Sequence, residues 1–399
     1  MNKNIIPIVF SANAKYAPYI AVTITSIIRN SSSTRKYRFY VLYTELPDST
    51  ILRLEDISGE YYETKCVNAK EFCRDGMYSS AYFSVEMYYR IMIPEIFQEY
   101  DKVLYLDCDT VVLHDICELY DSDISNCLIG AIQNLMHDKM KKYIQFSLEI
   151  DPEKYINSGV ILFNCSKCRE ENFTEKSFKL LAKRQDFRYP DQDLINMMCI
   201  GKIHYLDIQW NFTWHYRHLQ ESKNIELHLN DEDIAKFYET EKNPYLIHYT
   251  GEIKPWDNVN KYLSDYFWKY AVESNFFNLY INRLVNVNKT NAAYNLYENK
   301  IKELERKING LEDKIAKIDI AHPDYCENRR SDDLNIEYIS KYNEVIGSKS
   351  YKLGRIITFP VRKIIDMFHS IKLIGLKETI KLFPKKMKLY CNIIMRKNK

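Results

Sequence analysis

The sequence predicts an α/β fold with a mostly parallel central sheet, followed by a C-terminal helical extension. Over the first 280 residues, short runs rich in β-branched and aromatic side chains alternate with segments of helical periodicity, a pattern typical of parallel sheets. One of these runs, 103–106, ends in two aspartates one residue apart, Asp107 and Asp109. Open α/β sheets bind ligands at the carboxyl ends of their strands, so this run predicts the strand around which a site is organised.

The predicted elements follow in order along the chain. An apolar run at 5–10 predicts the first strand, and apolar residues at helical spacing after Pro18 predict the first helix, since proline suits the first turn of a helix. Further strands are predicted at 37–43, 62–68, 103–107, 127–133, 160–163 and 245–249, and further helices after Pro47, at 85–92 and from Asp191.

Length and composition divide the chain into parts. At 399 residues the chain exceeds the usual size of one domain, so a main domain with appended elements is expected. The 33 Tyr and 18 Phe, with only 10 Gly and 11 Pro, argue against a disordered or low-complexity chain. We expect a main α/β domain at 1–280, a coil-like helix at 281–325 and a basic tail at 326–399. The first apolar run is too short for a signal peptide, and ten scattered cysteines fit a reducing cytoplasm.

Asp107 and Asp109 predict a divalent metal site. Residues i and i+2 of an extended segment face the same side, so both carboxylates can face one ligand. Two like charges held this close need a cation between them, and oxygen ligands suit Mg²⁺ or Mn²⁺, with substrate phosphate completing the coordination shell. A surface turn is the alternative interpretation, because Asp is common in turns.

Three later segments carry polar side chains at the ends of predicted elements. Residues 157–159 (Asn-Ser-Gly) precede a strand and indicate either a turn or the close approach of a ligand to the backbone. Asp191 and Gln192 open a helix, where an acid either caps the helix or belongs to a site. His248 ends the last predicted strand and is either structural or a metal ligand.

Five segments together resemble the family-8 glycosyltransferases, in particular the bacterial lipopolysaccharide galactosyl- and glucosyltransferases. They are FSANAKY, YLDCDTVV, INSGVILFN, YPDQDLIN and HYTGEIKPW, in that order, within residues 5–277. The resemblance implies a nucleotide-sugar-binding fold of the GT-A type and a UDP-sugar donor. It also implies dependence on Mn²⁺ and transfer of a hexose, galactose or glucose, with retention of anomeric configuration.

The resemblance implies that Asp107, Asp109 and His248 are the metal ligands. The donor set agrees with this, because two carboxylates and an imidazole suit Mn²⁺ better than Mg²⁺. Ala12, Asn13 and Tyr16 match the segment that holds the uracil and ribose. The family commonly has an acid at the position of Asn13, but an amide can still hydrogen-bond the uracil edge.

The remaining site residues are also carried over from the family. Arg90 matches a basic residue that contacts the donor, and Gly251 and Lys254 match a loop that closes on the diphosphate. The residues expected around the transferred sugar are Asn157, Asp191 and Gln192, the last two being the catalytic candidates.

Two routes lead to retention. In one, a carboxylate forms a covalent glycosyl-enzyme intermediate; in the other, which we favour, the acceptor attacks from the leaving-group face and the departing phosphate takes its proton. An amide such as Gln192 is a poor nucleophile, and Asp193 is the less favoured candidate for a covalent intermediate. The expected acceptor is lipopolysaccharide or another lipid-linked or cell-surface glycan. The competing functions are a non-catalytic sugar-nucleotide-binding scaffold and a nucleotidyltransferase, which needs a Gly-rich triphosphate loop that the sequence does not show near residue 12.

The C-terminal part carries two further patterns. Apolar residues at 294–318 recur every three or four positions, which predicts either a parallel homodimer or an amphipathic helix folded back on its own domain. Residues 350–399 carry 13 Lys and Arg against two acids, interleaved with apolar residues. This tail predicts a peripheral attachment to anionic lipid at the cytoplasmic face of the inner or plasma membrane, and no nucleic-acid partner, because no recognition motif is present.

Overall fold

A computed structural model describes residues 4–289 except 79–83, 185, 215, 218–227 and 253. The predicted coil at 294–318 and the basic tail at 350–399 lie outside the described residues. In the described part of the chain, no helix is both long and apolar enough to cross a membrane.

The first part of the domain alternates strands and helices as the sequence predicts. The elements are β1 (Ile5–Ser11), α1 (Ala17–Asn30), β2 (Lys36–Tyr43), α2 (Asp48–Glu55) and β3 (Tyr62–Asn68). Helix α1 has a proline in its first turn, and nearly all of its apolar side chains are buried. Because β1 pairs in parallel with β2 and β2 with β3, this part forms one half of a parallel sheet.

The second part adds the strands and helices that carry most of the site. They are α3 (Tyr89–Ile96), β4 (Lys102–Leu106), β5 (Thr110–Val112), α4 (Ile116–Tyr120), β6 (Ile129–Gln133), α5 (Asp138–Ser147), β7 (Ile156–Asn164), α6 (Cys165–Glu170), α7 (Phe173–Lys183), α8 (Pro190–Cys199), β8 (Ile203–Tyr205), β9 (Phe212–Thr213), α9 (Asp231–Lys242), β10 (Leu246–His248), α10 (Ser264–Ala271) and α11 (Phe277–Lys289). The helix predicted at 85–92 is confirmed for its second half, which lies in α3, whereas its first half, Val85–Tyr88, is a 3-10 turn.

The strands form a seven-stranded sheet in the order β3-β2-β1-β4-β7-β6-β8. Strand β7 runs antiparallel to both of its neighbours, and the other pairs are parallel, which confirms the predicted mostly parallel sheet. A second sheet of three strands has the order β5-β10-β9. Strand β4 lies in the middle of the large sheet, and its residues Val103 to Leu106 are fully buried, as the apolar run predicts.

Strand β7 begins earlier than predicted. The apolar pattern places its start at Val160, but the strand begins at Ile156 and contains Asn157, Ser158 and Gly159. The prediction of a turn at 157–159 is therefore wrong. These polar residues remain in the strand because their side chains and backbone groups bond within the site rather than with solvent.

Candidate active site

The chain brings Asp107, Asp109 and His248 together through the junction of the two sheets. Asp107 directly follows β4, and Asp109 lies in the turn that leads into β5. Strand β10 pairs antiparallel with β5, with His248 opposite Thr110. The sequence predicts that the two acids lie on one extended segment, and this is wrong, because they lie in the turn after β4. The turn nevertheless directs both carboxylates to the same imidazole.

The three side chains form a group of suitable size for one metal ion. His248 Nε2 lies 3.5 Å from an Asp107 oxygen and 3.2 Å from an Asp109 oxygen. Each residue offers one ligand atom, and all three atoms lie within 4.8 Å of one another. Two carboxylate oxygens and one imidazole nitrogen fit a divalent ion such as Mn²⁺.

Gly159 allows the imidazole to approach β7. A Cβ atom at position 159 would lie 2.2 Å from His248 Cε1 and 2.7 Å from an Asp107 oxygen. Real Cβ atoms do not approach other atoms so closely, and therefore the cluster requires glycine here. The sequence predicts the approach of a ligand at 157–159, whereas the structure shows the approach of His248.

Burial and charge oppose each other in the cluster. Burial alone raises the pKa of Asp107, but Arg90 and His248 outweigh it and hold that pKa below its usual range. Burial also raises the pKa of Asp109, and Lys254 and His248 again hold it low. Burial lowers the pKa of His248, but the two carboxylates raise it to about 9, so the imidazole is protonated at neutral pH without metal.

Arg90 joins the cluster to the start of α8. One guanidinium nitrogen donates to Asp107 at 2.8 Å, and Nε lies 3.2 Å from Asp191. A third nitrogen donates to the carbonyl of Ser158 at 2.7 Å. The guanidinium also lies over the ring of Tyr105, 4.4 Å from its centroid, so Arg90 is fixed on every side.

Lys254 occupies the other side of Asp109. Its ammonium donates to the Asp109 carboxylate and, at 2.8 Å, to the carbonyl of Tyr249. Gly251 lies in the loop between His248 and Lys254 with φ of +88°, a conformation that favours glycine. The resulting set of charges is balanced, with three acids and three cations: Asp107, Asp109, Asp191, Arg90, His248 and Lys254.

Asp191 and Gln192, which open α8, both bond to Ser158. The side-chain oxygen of Gln192, Oε1, accepts from the Ser158 N–H at 3.0 Å, and its side-chain nitrogen, Nε2, donates to the Tyr155 hydroxyl at 3.0 Å. Asp191 accepts from the Ser158 hydroxyl at 3.2 Å. Burial raises the pKa of Asp191, and Arg90 opposes that rise only in part.

Asp193 is held by tyrosine hydroxyls and is linked to Gln192 through the hydroxyl of Tyr155. It is fully buried and accepts hydrogen bonds from the hydroxyls of Tyr143 and Tyr155 and from the Tyr189 N–H. With its oxygens engaged in this way, Asp193 is poorly placed to act as a nucleophile.

The segment after β1 lies near the same cluster. The N–H of Ala12 bonds to β2 at 3.1 Å, and the Asn13 side-chain oxygen accepts from the N–H groups of Lys15 and Tyr16. The Tyr16 ring packs edge-on to the Trp256 ring, with centroids 6.1 Å apart. Burial raises the pKa of the Tyr16 hydroxyl, the Lys254 ammonium opposes that rise and the Asp109 carboxylate adds to it, so the hydroxyl is within electrostatic reach of both charges.

Two residues of the site, Tyr105 and Asn211, were not singled out from the sequence, and a third, Ser158, was noted only as part of the 157–159 segment. Ser158 bonds to both Arg90 and Asp191, Tyr105 donates to Asp107 at 2.7 Å, and Asn211 lies 2.9 Å from His248 Nδ1. Tyr105 has the pattern of an apolar strand residue, and Asn211 stands among aromatic residues with no motif around it. Only their spatial neighbours reveal their roles.

Comparison with known protein families gives a match over most of the domain. The sequence model for glycosyl transferase family 8 matches residues 7–260. A putative glycosyltransferase of Haemophilus influenzae is 29% identical over 227 residues, which cover 55% of this chain and 66% of that protein. The lipopolysaccharide 1,2-glucosyltransferase of Escherichia coli K12 is 25% identical over 275 residues, covering 67% of this chain and 77% of that enzyme.

Solved structures show the same architecture. The apo structure of the bifunctional glycosyltransferase WbbM superposes with a TM-score of 0.62 at 25% sequence identity. The superposition covers 71% of this chain and 52% of WbbM, so this chain spans about half the length of that protein.

Proposed function

The chain belongs to glycosyltransferase family 8 and is a hexosyltransferase with the GT-A type of fold, and we propose that its donor is a UDP-hexose, either UDP-galactose or UDP-glucose. The proposed reaction is Mn²⁺-dependent transfer to lipopolysaccharide or another lipid-linked or cell-surface glycan, with retention of anomeric configuration. The observation that carries this proposal is the group formed by Asp107, Asp109 and His248 at the end of the central strand.

A divalent ion held by these three residues would supply positive charge to the diphosphate leaving group. Magnesium is the alternative ion, but the imidazole ligand favours Mn²⁺. The site is buried and electrically balanced before any ligand binds, since His248 is only 3% exposed and three acidic side chains face three cationic ones. A metal ion and a diphosphate together add little net charge to such a site.

Lys254 is proposed to exchange partners when the donor binds. Without ligand its ammonium is held by Asp109, a proposed metal ligand. If a cation were held at Asp109, the Lys254 ammonium would be free to bind the diphosphate oxygens, where a fixed positive charge would stabilise the departing UDP. Gly251, with its positive φ, gives the loop the backbone freedom to bring Lys254 to that position.

Arg90 and Asp191 are proposed to face the transferred sugar. Charge develops in two places as the glycosidic bond breaks: negative on the diphosphate and positive on the sugar ring. The carboxylate of Asp191, kept next to Arg90 and Ser158, can favour the positive ring. Asn157 and Gln192 are proposed to contact the sugar hydroxyls as well, each through the hydrogen-bonding capacity of its amide that remains beyond its bonds within the protein.

The same-face route to retention has support from the positions of Gln192 and Asp193. Gln192 is an amide, and both ends of that amide are hydrogen-bonded. Asp193 is fully buried among tyrosines. With neither residue suited to attack the anomeric carbon, we propose that the acceptor attacks from the leaving-group face and that the departing phosphate takes its proton. A trapped glycosyl ester on Asp193 would contradict this route.

The nucleoside is proposed to bind at Ala12, Asn13 and Tyr16. Asn13 uses its side-chain oxygen to fix the start of α1, which leaves its NH₂ group to donate to the base. Tyr16 packs against Trp256, two residues beyond Lys254, so base and diphosphate would contact neighbouring segments.

The two C-terminal segments are proposed to pair two chains and to attach the enzyme to a membrane. We propose that residues 1–280 are the catalytic domain, that 281–325 form a coil-like helix pairing two chains through 294–318, and that 326–399 attach the enzyme to the cytoplasmic face of the membrane. Sedimentation with anionic liposomes should be lost when 350–399 are deleted. A chain that remains monomeric by light scattering at micromolar concentration would remove the pairing at 294–318.

The proposed function is tested by UDP release from a panel of UDP-sugars, with and without Mn²⁺, because slow donor hydrolysis needs no acceptor. We expect Mn²⁺-dependent release from one or two hexose donors, and retention in the product anomer by NMR when an acceptor is supplied. Asp107→Asn should abolish release, while Asp48→Asn, an exposed acid on α2, should leave it unchanged. If no donor releases UDP, a non-catalytic scaffold becomes the better account.

A further inference from the structure

We propose that Asn211 is a positioning residue that keeps a proton on His248 Nδ1, so that Nε2 is the ring nitrogen that gives up its proton and binds a metal ion. The inference rests on the proposed metal-dependent function and goes beyond its ligand set. Asn211 Oδ1 lies 2.9 Å from His248 Nδ1, on the side of the ring opposite the two carboxylates. Both residues are nearly inaccessible to solvent, with exposures of 3% for His248 and 4% for Asn211.

The direction of this hydrogen bond is fixed by a backbone group. The N–H of Gly159 can only donate, and it donates to Asn157 Oδ1 at 2.9 Å. The same Asn157 oxygen accepts from Asn211 Nδ2 at 2.9 Å. Because the NH₂ group of Asn211 is used there, its oxygen faces His248, and an oxygen can only accept. The ring nitrogen that faces it, Nδ1, therefore carries a proton.

The chain of amides joins the two sheets of the domain. Asn157 and Gly159 lie on β7 of the large sheet, whereas Asn211 ends the 3-10 helix that precedes β9 of the small sheet. His248 lies on β10, directly opposite Thr213 of β9. Asn211 directly precedes β9 and His248 lies on the adjacent strand β10, so the pairing of these strands brings the two side chains together.

Gly159 closes the remaining side of the ring. Its backbone lies so near His248 that even a Cβ atom would overlap Cε1. The imidazole is therefore confined by a backbone on one edge, an amide at Nδ1 and two carboxylates at Nε2. When a metal ion replaces the Nε2 proton, the Nδ1 bond to Asn211 stays in place and keeps the ring oriented. Partners of this kind are worth about 10- to 100-fold in metal affinity in other metalloproteins.

Two variants separate this role from simple structural support. Asn211→Leu fills a similar volume but removes the acceptor at Nδ1. Asn211→Asp keeps an oxygen acceptor at that position, but it replaces the donation to Asn157 by a second oxygen and adds a negative charge. Thermal melts of both variants show whether each remains folded.

The first measurement is Mn²⁺ affinity, from the electron paramagnetic resonance signal of free Mn²⁺ during titration. We expect Asn211→Leu to bind Mn²⁺ about 10- to 100-fold more weakly than the wild type. Asn211→Asp should restore binding to within about threefold of wild type or better, because the acceptor is kept. Wild-type affinity in folded Asn211→Leu would overturn the inference, and so would equal losses in both folded variants.

The second measurement is ¹⁵N NMR of histidine-labelled protein, with the His248 signal assigned by its loss in His248→Asn. In the Cd²⁺-loaded wild type we expect a protonated Nδ1 and a metal-bound Nε2, and in Asn211→Leu a mixture of forms. In the metal-free wild type we expect an exchange-protected Nδ1–H that is absent from Asn211→Leu.

The two readouts distinguish the inference from the proposed function. A wild type that binds neither Mn²⁺ nor Cd²⁺ overturns the proposed metal-dependent function. The protected Nδ1–H of the metal-free protein tests the bond between Asn211 and His248 in either case, and its absence from the wild type overturns the inference.

Discussion

Replacement of Gly159 by alanine perturbs the proposed metal site through one added methyl group. The new Cβ would lie 2.2 Å from His248 Cε1, 2.7 Å from an Asp107 oxygen and 2.8 Å from His248 Nδ1. Carbon atoms in contact are normally about 3.5–4.0 Å apart, so the imidazole has to retreat by more than about 1 Å. Its bond to Asn211 and its place in β10 oppose that movement.

The expected loss of function follows from the tolerance of metal sites. Ligand distances vary by only about 0.2 Å around their usual values, so a displacement of about 1 Å removes His248 as a ligand. A misplacement of that size costs about 100-fold in rate in enzymes. We therefore expect Gly159→Ala to lower Mn²⁺-dependent UDP release by about 100-fold or more, together with a loss of about 1–3 kcal/mol in stability from overpacking.

Gly130→Ala is the matched control for overpacking. It lies on β6, and its added Cβ would meet side chains of Ile124 at 2.9 Å and Leu206 at 3.2 Å. We expect this variant to lose stability but to keep its affinity for Mn²⁺. Mn²⁺ titration and chemical denaturation of both variants measure the two effects. Wild-type Mn²⁺ affinity in Gly159→Ala would refute the geometry of the site.

Three other perturbations have definite expected outcomes. Asp109→Asn should remove Mn²⁺ binding and lower the melting temperature of the metal-free protein, because the buried side chains of Lys254 and His248 both lose a counter-charge. Calorimetric titration and thermal melts measure the two effects, and retained Mn²⁺ binding would contradict the expectation. The Lys254→Met variant should bind Mn²⁺ more tightly in the absence of UDP, because the ammonium no longer competes for Asp109, and it should bind UDP about tenfold or more weakly, because the diphosphate loses that ammonium. Unchanged affinities for both ligands in binding titrations would contradict the exchange of partners. In the metal-free protein the pKa of His248 is raised to about 9, above about 6.5 in an unfolded chain, so its stabilising contribution is full below pH 6.5 and is lost as the pH rises through 9. The difference in unfolding free energy between wild type and His248→Asn should therefore shrink by up to about 3 kcal/mol from pH 6 to pH 9.5, and denaturation curves giving the same difference at both pH values would refute the charge assignment.

The central strand was predictable because its signal is local. An apolar run that ends in Asp107 and Asp109 needs no knowledge of the rest of the chain, and the strand lies where expected. The order of strands and helices through β3 was also predictable, since each element has its own periodicity. The position of Asn157 in β7 was not, because a strand whose first residues bind within a site lacks the apolar pattern that marks a strand.

The side chains that contact Asp107 and Asp109 were harder to predict from the sequence than the two acids themselves. The ordered motifs pointed to His248 and Lys254, but the salt bridge between Lys254 and Asp109 depends on the loop conformation after β10. Asn211 had no sequence signal, because a buried amide beside Trp210 and Phe212 looks like any polar residue between aromatic ones. Its role depends on the pairing of β9 with β10, which no local pattern encodes.

The most direct test of a metal-dependent transferase site is an anomalous difference map from crystals grown with Mn²⁺ and UDP. We predict one Mn²⁺ peak coordinated by Asp107, Asp109 and His248 Nε2, with Lys254 moved from Asp109 to the diphosphate. A peak at any other group of side chains, or UDP bound while Lys254 still contacts Asp109 and the cluster holds no metal, would contradict the account.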